Sequence, residues 1–375
     1  MVSQPLHALT LPPGPRLFAA LRDALSGDGP AVLPLPAGRA ATAVITALRP
    51  THADGVRQAR GEAVPSGVAV VIATSGSTGT PKGVMLSATA LRASAAASLR
   101  RLGAASGERW LCCLPPSHVS GLQVLVRALL SESEPIIHDG FDPDAVLTSG
   151  AHHVSLVPTQ LHRLVARKAD LSVFRTILLG GAAARPALLE EARDLGARVV
   201  TTYGMSETSG GSVYDGRPLD NVDLKIGADG RVRVSGPVLF SGYRSGPSPF
   251  ENGWFVTSDL GELRDGRLRV LGRADDVINT GGEKVVAAVV AAVLAAHPEV
   301  ADVAVIGRPD PEWGEAVVAV VVPADATRPL TLEQVRAYCK DRLPAHAAPR
   351  ELRLLPRLPL LPNGKTDLAG LRTGT

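Results

Sequence analysis

Apolar residues along this chain fall into short blocks separated by glycine- and hydroxyl-rich breaks. Val68-Ala-Val-Val-Ile-Ala73 is a continuous apolar run, short and largely β-branched, and predicts a buried strand. Val84-Met-Leu86 predicts a second. Upstream, Arg16–Leu25 and Ala40–Leu48 carry helical periodicity, and Ala31-Val-Leu33 predicts a short strand. Downstream, Ser87 is placed to N-cap a helix through about Leu102. Arg109–Leu114 then predicts a strand and Val124–Leu130 an apolar helix. Strand and helix patterns alternate through Pro135–His138, Asp142–Thr148, Val154–Val157, Gln160–Lys168, Thr176–Leu179, Ala187–Leu195 and Val199–Thr202. That alternation predicts an α/β fold, with helices covering mostly parallel sheet and ligands held at the strands' carboxyl ends.

The texture changes from Asp215 to Leu271. Glycine-rich turns separate the short strands Val222–Ile226, Arg231–Val234, Trp254–Val256 and Leu268–Leu271, which predicts a small β subdomain. Beyond Gly272-Arg-Ala-Asp-Asp276 the pattern predicts a helix over Val285–His297, strands at Val303–Ile306 and Ala316–Val322, and a capped helix from Thr331. The expected organisation is a large N-terminal domain, 1–272, a connection at 273–276, and a small α+β domain, 277–375.

Composition narrows the function classes. The chain has 375 residues, enough for two or three domains, and 45% of them are hydrophobic. Lys and Arg number 39 against 36 Asp and Glu, with no concentrated basic stripe, so nucleic acid is not an expected partner. Arg100-Arg101 reads as the solvated face of a helix. Cys112, Cys113 and Cys339 have neither disulfide-framework nor metal-site spacing. With no signal-peptide pattern and no membrane-length apolar run, the expectation is a soluble cytoplasmic protein without membrane insertion. Oligomeric state is open, a homodimer included.

Candidate chemistry lies in the breaks. Thr74-Ser-Gly-Ser-Thr-Gly-Thr-Pro-Lys-Gly-Val84 offers hydroxyls and backbone N–H groups from Thr74, Ser75, Gly76, Ser77, Thr78 and Gly79, with the charge of Lys82 behind them. Such a loop can cradle a phosphate, although its spacing is not that of a Walker A loop. A flexible linker has similar composition, but a linker is rarely clamped between two apolar strands. Tyr203-Gly-Met-Ser-Glu-Thr208 places a ring, a glycine turn, hydroxyls and one carboxylate at a strand's end, where they can stack a base, reach a phosphate and hold Mg²⁺. Leu178-Leu-Gly-Gly-Ala-Ala183 permits close approach of a flat ligand, or is simply a tight turn. Thr257-Ser-Asp-Leu-Gly261 presents one carboxylate in an expected turn.

Taken together and in this order, these stretches resemble the adenylate-forming enzymes: acyl-CoA synthetases, peptide-synthetase adenylation domains and luciferases. The resemblance covers the chain from about Val68 onward and implies an ATP- and Mg²⁺-dependent activation of a small carboxylic acid, with coenzyme A as co-substrate. It assigns Thr74–Gly79 and Lys82 to the ATP phosphates, Gly181 and Ala182 with Tyr203, Gly204 and Met205 to the adenine side, Ser206 to the α-phosphate and Glu207 to the metal. Asp259, in a variant of the family's signature with Ser258 where glycine is usual, is implied as the ribose ligand, with Arg273 nearby. Asp275 matches the hinge about which a mobile C-terminal domain rotates between half-reactions. Gly281, Gly282 and Lys284 belong to the loop then brought to the CoA side. Lys365, in Leu361-Pro-Asn-Gly-Lys-Thr-Asp367, would ordinarily be a surface lysine; the resemblance makes it the lysine that enters the site during adenylation.

On the acyl side, the abbreviated N-terminal region, His118-Val-Ser-Gly121 and Val154–Leu161 resemble family members that activate an aromatic acid bearing a second carboxylate. Arg127, amid Val, Leu and Ala, either lies on the exposed side of its helix or meets an anion. The resemblance implies the second, with Ser155, Thr159 and Gly180 lining the same pocket and His118 as liner or gate. A ligase for another aromatic or medium-chain acid, an enzyme loading a carrier protein, and a nucleotide-binding regulator remain alternatives at this point.

Overall fold

The computed structural model describes residues 2–36, 38–75, 81–360 and 366–373, with the backbone alone for Arg39 and Ser75. The chain divides into two compact units: Met1–Leu224 with Val234–Phe255, and Lys225–Arg233 with Val256–Thr375.

The first unit is built on two seven-stranded sheets. One runs, in spatial order, Ile136–Ile137, Trp110–Cys112, His153–Leu156, Thr176–Leu179, Val199–Met205, Gly210–Tyr214 and Arg217–Pro218. Its first five strands are parallel, in registers such as Val154 opposite Leu111 and Ile177. These are the near-continuous apolar runs of the sequence, as a sheet buried on both faces requires. Leu111, Val154, Leu156, Ile177 and Leu179 are buried against Leu161, Leu164, Leu188 and Ala192 of the crossover helices. The parallel strands bring all their carboxyl ends to one edge.

The second sheet contains Val68–Ser75 paired antiparallel with Pro81–Ser87, and on the outer side of Pro81–Ser87 the short strand Gly242–Tyr243. On its other flank Val68–Ser75 meets Ala31–Pro34, then Leu6–Leu9. The Ser87 hydroxyl accepts the Ala90 N–H at 3.0 Å and Gly103 closes the helix Ala88–Leu102 in the left-handed region, the cap the sequence predicts. Near that helix's end, Arg100 pairs with Asp220 at 3.0 Å and Arg101 donates to the Pro218 carbonyl.

In the second unit, the strands Trp254–Arg264 and Arg267–Arg273 form a hairpin. Gly314–Pro323 lies between Val300–Asp310 and Glu351–Leu354, and Val277–Thr280 pairs with Glu283–Val286. The helices Ala287–Ala295 and Leu332–Lys340 bury Val290, Leu294, Val335 and Cys339 against Val305, Val317, Ala319 and Val321. The cap at Thr331 is reciprocal with Gln334, Thr331 N–H donating to its side chain and its N–H to the Thr331 hydroxyl.

Three boundaries differ from the sequence expectation. The helix expected from Val285 begins at Ala287, because the β-branched Val285 and Val286 complete a hairpin opposite Ile278 and Val277. The strand expected at Val199–Thr202 continues to Met205, and that at Trp254–Val256 continues to Arg264. Both extensions cross glycine-containing stretches that local pattern reads as turns.

All three cysteines are free and buried. Burial pushes the Cys112 and Cys339 thiols up to about 11 and Cys113 to about 12, which keeps them protonated and unreactive. Among the described residues no helix is long and apolar enough to cross a membrane.

Candidate active site

The carboxyl edge of the parallel sheet gathers most of the sequence candidates of the first unit. After Thr176–Leu179 comes Gly180, whose N–H reaches back to the Leu156 carbonyl at 3.1 Å. A Cβ at Gly180 would stand 2.6 Å from Thr202 Oγ1, so only glycine lets the two strand ends lie this close. Gly181 and Ala182 follow it, exposed. Next along the edge, Val199–Met205 carries Tyr203, half-buried, and then Gly204 and Met205. Here the ladder shifts register, and Gly204 opposes Gly211. A side chain on Gly204 would run into the Gly210 carbonyl, so glycine is what lets the strand continue where a turn was expected.

Ser206–Thr208 then make one tight helical turn. The Thr208 hydroxyl accepts the Met205 N–H at 2.9 Å and lies 2.7 Å from the Gly210 carbonyl. Ser209 is held harder still. Its carbonyl accepts from Ser94 and from Gln123, at 3.0 and 2.7 Å, and its hydroxyl bonds the Val238 carbonyl. Two helices and a loop therefore fix the segment that presents Ser206 and Glu207.

Glu207 is half-buried, and its Oε1 accepts a hydrogen bond from the Tyr243 hydroxyl at 2.8 Å. The Tyr243 ring lies under the ammonium of Lys82, 5.6 Å from Nζ to the ring centroid. Lys82 comes from Pro81–Ser87, the strand on which Gly242–Tyr243 pairs, with Tyr243 opposite Val84. Thr74, opposite Lys82 in the same ladder, reaches the Lys82 carbonyl at 3.4 Å. Lys82 and Glu207, 125 positions apart in two separate motifs, are thus linked through one ring, and that ring was no candidate of the sequence reading. The only signal for it was an aromatic after glycine in Phe240-Ser-Gly-Tyr243, within a segment read as subdomain turns. Gly76, Ser77, Thr78 and Gly79 of the phosphate-loop motif lie outside the described residues, as does Lys365.

Glu207 suits a magnesium ion. Its carboxylate makes no ion pair among the described residues, and a neutral donor engages only one of its oxygens. Among the described residues no group of three or more His, Cys, Asp or Glu is arranged to hold a metal by itself. One carboxylate beside a phosphate loop is the usual setting for Mg²⁺, which takes its remaining ligands from water and substrate phosphates.

The acyl candidates separate into two places. His118, exposed, is the residue just before the helix Val119–Leu130 at the carboxyl edge, and Thr159 is exposed in the first turn of Pro158–Val165 at the same edge. Arg127 is nine residues on from His118, about 13 Å along the helix axis. It is 4% exposed and faces the sheet. Its Nη2 donates to the Ser155 hydroxyl at 2.9 Å, and its guanidinium sits 4.5 Å from the ring of Trp110, the first residue of its strand. The same ring stacks on His153, which begins its own strand and bonds Glu108 at 2.8 Å. Arg127 makes no ion pair among the described residues, and its buried Nε finds no partner there. The structure thus brings Arg127 to Ser155, the third of the four residues of His153–Leu156.

In the second unit, Asp259 lies within a strand, not the expected turn. Its N–H donates to the Thr257 hydroxyl at 3.1 Å, that hydroxyl reaches the Val232 carbonyl, and the ladder shifts register just after, between Leu260 and Gly261. Opposite it, Arg273 approaches both Asp259 and Asp275, at 3.8 and 3.7 Å. Asp275 is exposed in the short turn Ala274–Asp276, and Asp276 holds Arg372 at 2.7 Å. Gly281 and Gly282 form the tip of the hairpin Val277–Thr280/Glu283–Val286, with Gly281 against the Trp313 ring, and Lys284 is exposed beside them.

A sheet edge carrying a phosphate-type loop strand, a lone carboxylate suited to Mg²⁺ and a glycine-lined slot defines a nucleotide-dependent enzyme. Residues 35–244 match the family described as AMP-binding enzyme and residues 289–365 its C-terminal domain, so the chain belongs to the AMP-binding enzyme family. A probable 2-succinylbenzoate–CoA ligase of Mycobacterium tuberculosis is 43% identical over 387 aligned positions, covering 98% of this chain and 97% of that protein. The o-succinylbenzoate CoA synthetase of Bacillus subtilis, solved with the acyl-adenylate intermediate OSB-AMP, superposes with a TM-score of 0.79 at 28% identity, over 98% of this chain and 88% of the other. The same enzyme solved with ATP and magnesium ion gives 0.82 at 28% identity, over 98% and 89%.

Proposed function

We propose that this chain joins 2-succinylbenzoate to coenzyme A in two steps, through an acyl-adenylate, releasing pyrophosphate and then AMP, as a step of menaquinone biosynthesis. The observation that carries this reading is the 43% identity to a probable 2-succinylbenzoate–CoA ligase over essentially the full length of both chains.

In the first step a substrate carboxylate oxygen attacks the α-phosphorus of ATP and pyrophosphate leaves. Little covalent work falls to protein groups, so positioning and charge neutralisation dominate. The loop from Thr74 to Lys82 holds the outer phosphates, Tyr203 with Gly181 and Ala182 holds adenine, Gly180 lies on the acyl side, and Ser206 meets the α-phosphate. Asp259 and Arg273 hold the ribose. Glu207 would hold Mg²⁺, which when bound neutralises charge on the phosphates. Lys365 meets the oxygen that bridges acyl and phosphoryl groups. In the second step residues 277–375 rotate about Asp275, Gly281–Lys284 approach, and the CoA thiol, losing its proton, attacks the acyl carbonyl so that AMP departs.

The second carboxylate of the substrate is best met by His118 and the amino end of the helix Val119–Leu130, which favours an anion. Arg127 is already engaged with Ser155 and Trp110. His118→Ala is therefore expected to raise KM for 2-succinylbenzoate by about tenfold, the scale of one charge-assisted contact. Arg127→Leu leaves it nearly unchanged, because on this reading the guanidinium serves Ser155 and Trp110 and not the substrate. A large KM rise in Arg127→Leu with an unchanged melting temperature returns Arg127 to the acyl pocket.

Pyrophosphate release with ATP, Mg²⁺ and a panel of 2-succinylbenzoate, benzoate, coumarate and octanoate tests the reading as a whole. Release with 2-succinylbenzoate, and thioester when CoA is added, is the expected result. Release only with another acid keeps the ligase and discards this substrate. ATP binding without release for any acid overturns the enzyme.

A further inference from the structure

We propose that Tyr243 is the positioning residue of the metal-holding carboxylate: its hydroxyl fixes Glu207 with one oxygen engaged and the other left for the divalent cation that arrives with ATP. This deepens the nucleotide side of the function proposed above and is independent of which acid is activated.

Three observations carry it. First, the contact is direct, 2.8 Å from the Tyr243 hydroxyl to Glu207 Oε1. A carboxylate can only accept, so the phenol donates. Second, the donor is neutral. A lysine or arginine here would hold Glu207 as firmly but would cancel the charge a cation needs. Lys82 lies over the ring face, and Glu207 makes no ion pair among the described residues.

Third, the position of Tyr243 is over-determined by contacts other than those of its hydroxyl. Gly242 and Tyr243 pair with Met85 and Val84. Ser241 donates to the Met85 carbonyl and Arg244 to the Gly83 carbonyl, at 2.8 and 2.7 Å. The Arg244 guanidinium then takes the carbonyls of Leu48, Arg49, Glu62 and Ala63. On the other side Phe240 meets the Tyr243 ring edge-on at 5.0 Å, and its N–H bonds the Glu207 carbonyl at 2.9 Å. A hydroxyl held this firmly transmits the geometry of the phosphate-loop strand Pro81–Ser87 to the carboxylate at the end of Val199–Met205.

The test is nucleotide binding to the full chain by isothermal titration, without any carboxylic acid and therefore without turnover. Mn²⁺ serves as the probe ion and its paramagnetic signal as a second readout. Tyr243→Phe removes the hydroxyl alone. It is expected to weaken ATP binding about tenfold when Mn²⁺ is present, the worth of one hydrogen bond to a charged group, and to leave binding in EDTA unchanged. Glu207→Gln is expected to lose at least as much, and Tyr243→Phe added to it loses nothing further. Equal weakening with and without Mn²⁺ assigns the ring to packing and overturns the proposal, as do unaltered affinity in Tyr243→Phe or additive losses in the double variant. Wild-type protein that binds Mn²⁺ and ATP but activates no acid overturns the ligase and leaves Tyr243 in place.

Discussion

Lys365→Ala is expected to lose adenylation by about 10²–10³-fold, the usual cost of removing one preorganised donor from a developing charge. Thioester formation from supplied acyl-adenylate is expected to survive nearly intact. The two halves of this prediction come from one physical idea. While pyrophosphate leaves, negative charge gathers on the departing oxygen and on the α-phosphoryl oxygens beside the incoming carboxylate, and a lysine is a compact point charge suited to meet it. On the function proposed above, the lysine is withdrawn before the second step, in which AMP leaves. Loss through misfolding is a poor rival, because the flanks of the lysine are anchored independently. Leu360 bridges Thr366, the Asp367 N–H donates to the Pro359 carbonyl at 2.9 Å, and Leu358 and Leu371 are buried with Ile306, Val318 and Val320. Purified Lys365→Ala, assayed for pyrophosphate release and separately with synthetic acyl-adenylate and CoA, distinguishes the two steps. Equal loss in both contradicts the assignment.

How much of this was legible beforehand depends on what kind of interaction decides each feature. The parallel sheet was readable because its strands are nearly pure apolar runs, and burial on both faces leaves no other reading. The Ser87 and Thr331 caps were readable because a cap is a local hydrogen bond. Asp259 and Tyr203–Met205 were read as turn residues and lie in strands, because their extended conformation is imposed by partners far along the chain: Arg273 opposite Asp259, and Gly210–Gly211 opposite Gly204. No local pattern contains a partner's position.

Arg127 shows the same limit from the other side. Periodicity left its exposure undecided; the structure buries it, with its guanidinium over the Trp110 ring. Tyr243 could not be found from motifs at all, since its part depends on a two-residue strand pairing with Pro81–Ser87 across more than 150 intervening residues. The family's motifs carry the atoms that touch substrate, while the residue that aims one of them sits in an unremarkable glycine-rich stretch.

Asp275→Pro is expected to spare adenylation and to cut thioester formation by on the order of 10²-fold, the penalty for holding reacting groups out of place. The turn Ala274–Asp276 is short and its middle residue is exposed, so substitution there removes little packing. Proline fixes φ near −65° and restricts the residue before it. A hinge works by letting a few residues absorb a large dihedral change, and a locked hinge keeps one of two states. In the present conformation Gly272 lies close against Val286 and Ala288, so that a Cβ at Gly272 would come within 2.7 Å of Val286 Cγ1. A rotation at Asp275 would have to undo packing of this kind, and a locked turn would prevent it. Asp275→Ala is the control: it deletes the approach to Arg273 yet leaves the backbone free, and both half-reactions are expected near wild type. If Asp275→Pro forms thioester at the wild-type rate, rotation does not occur here; if Asp275→Ala is as impaired as Asp275→Pro, the carboxylate matters and the dihedral does not.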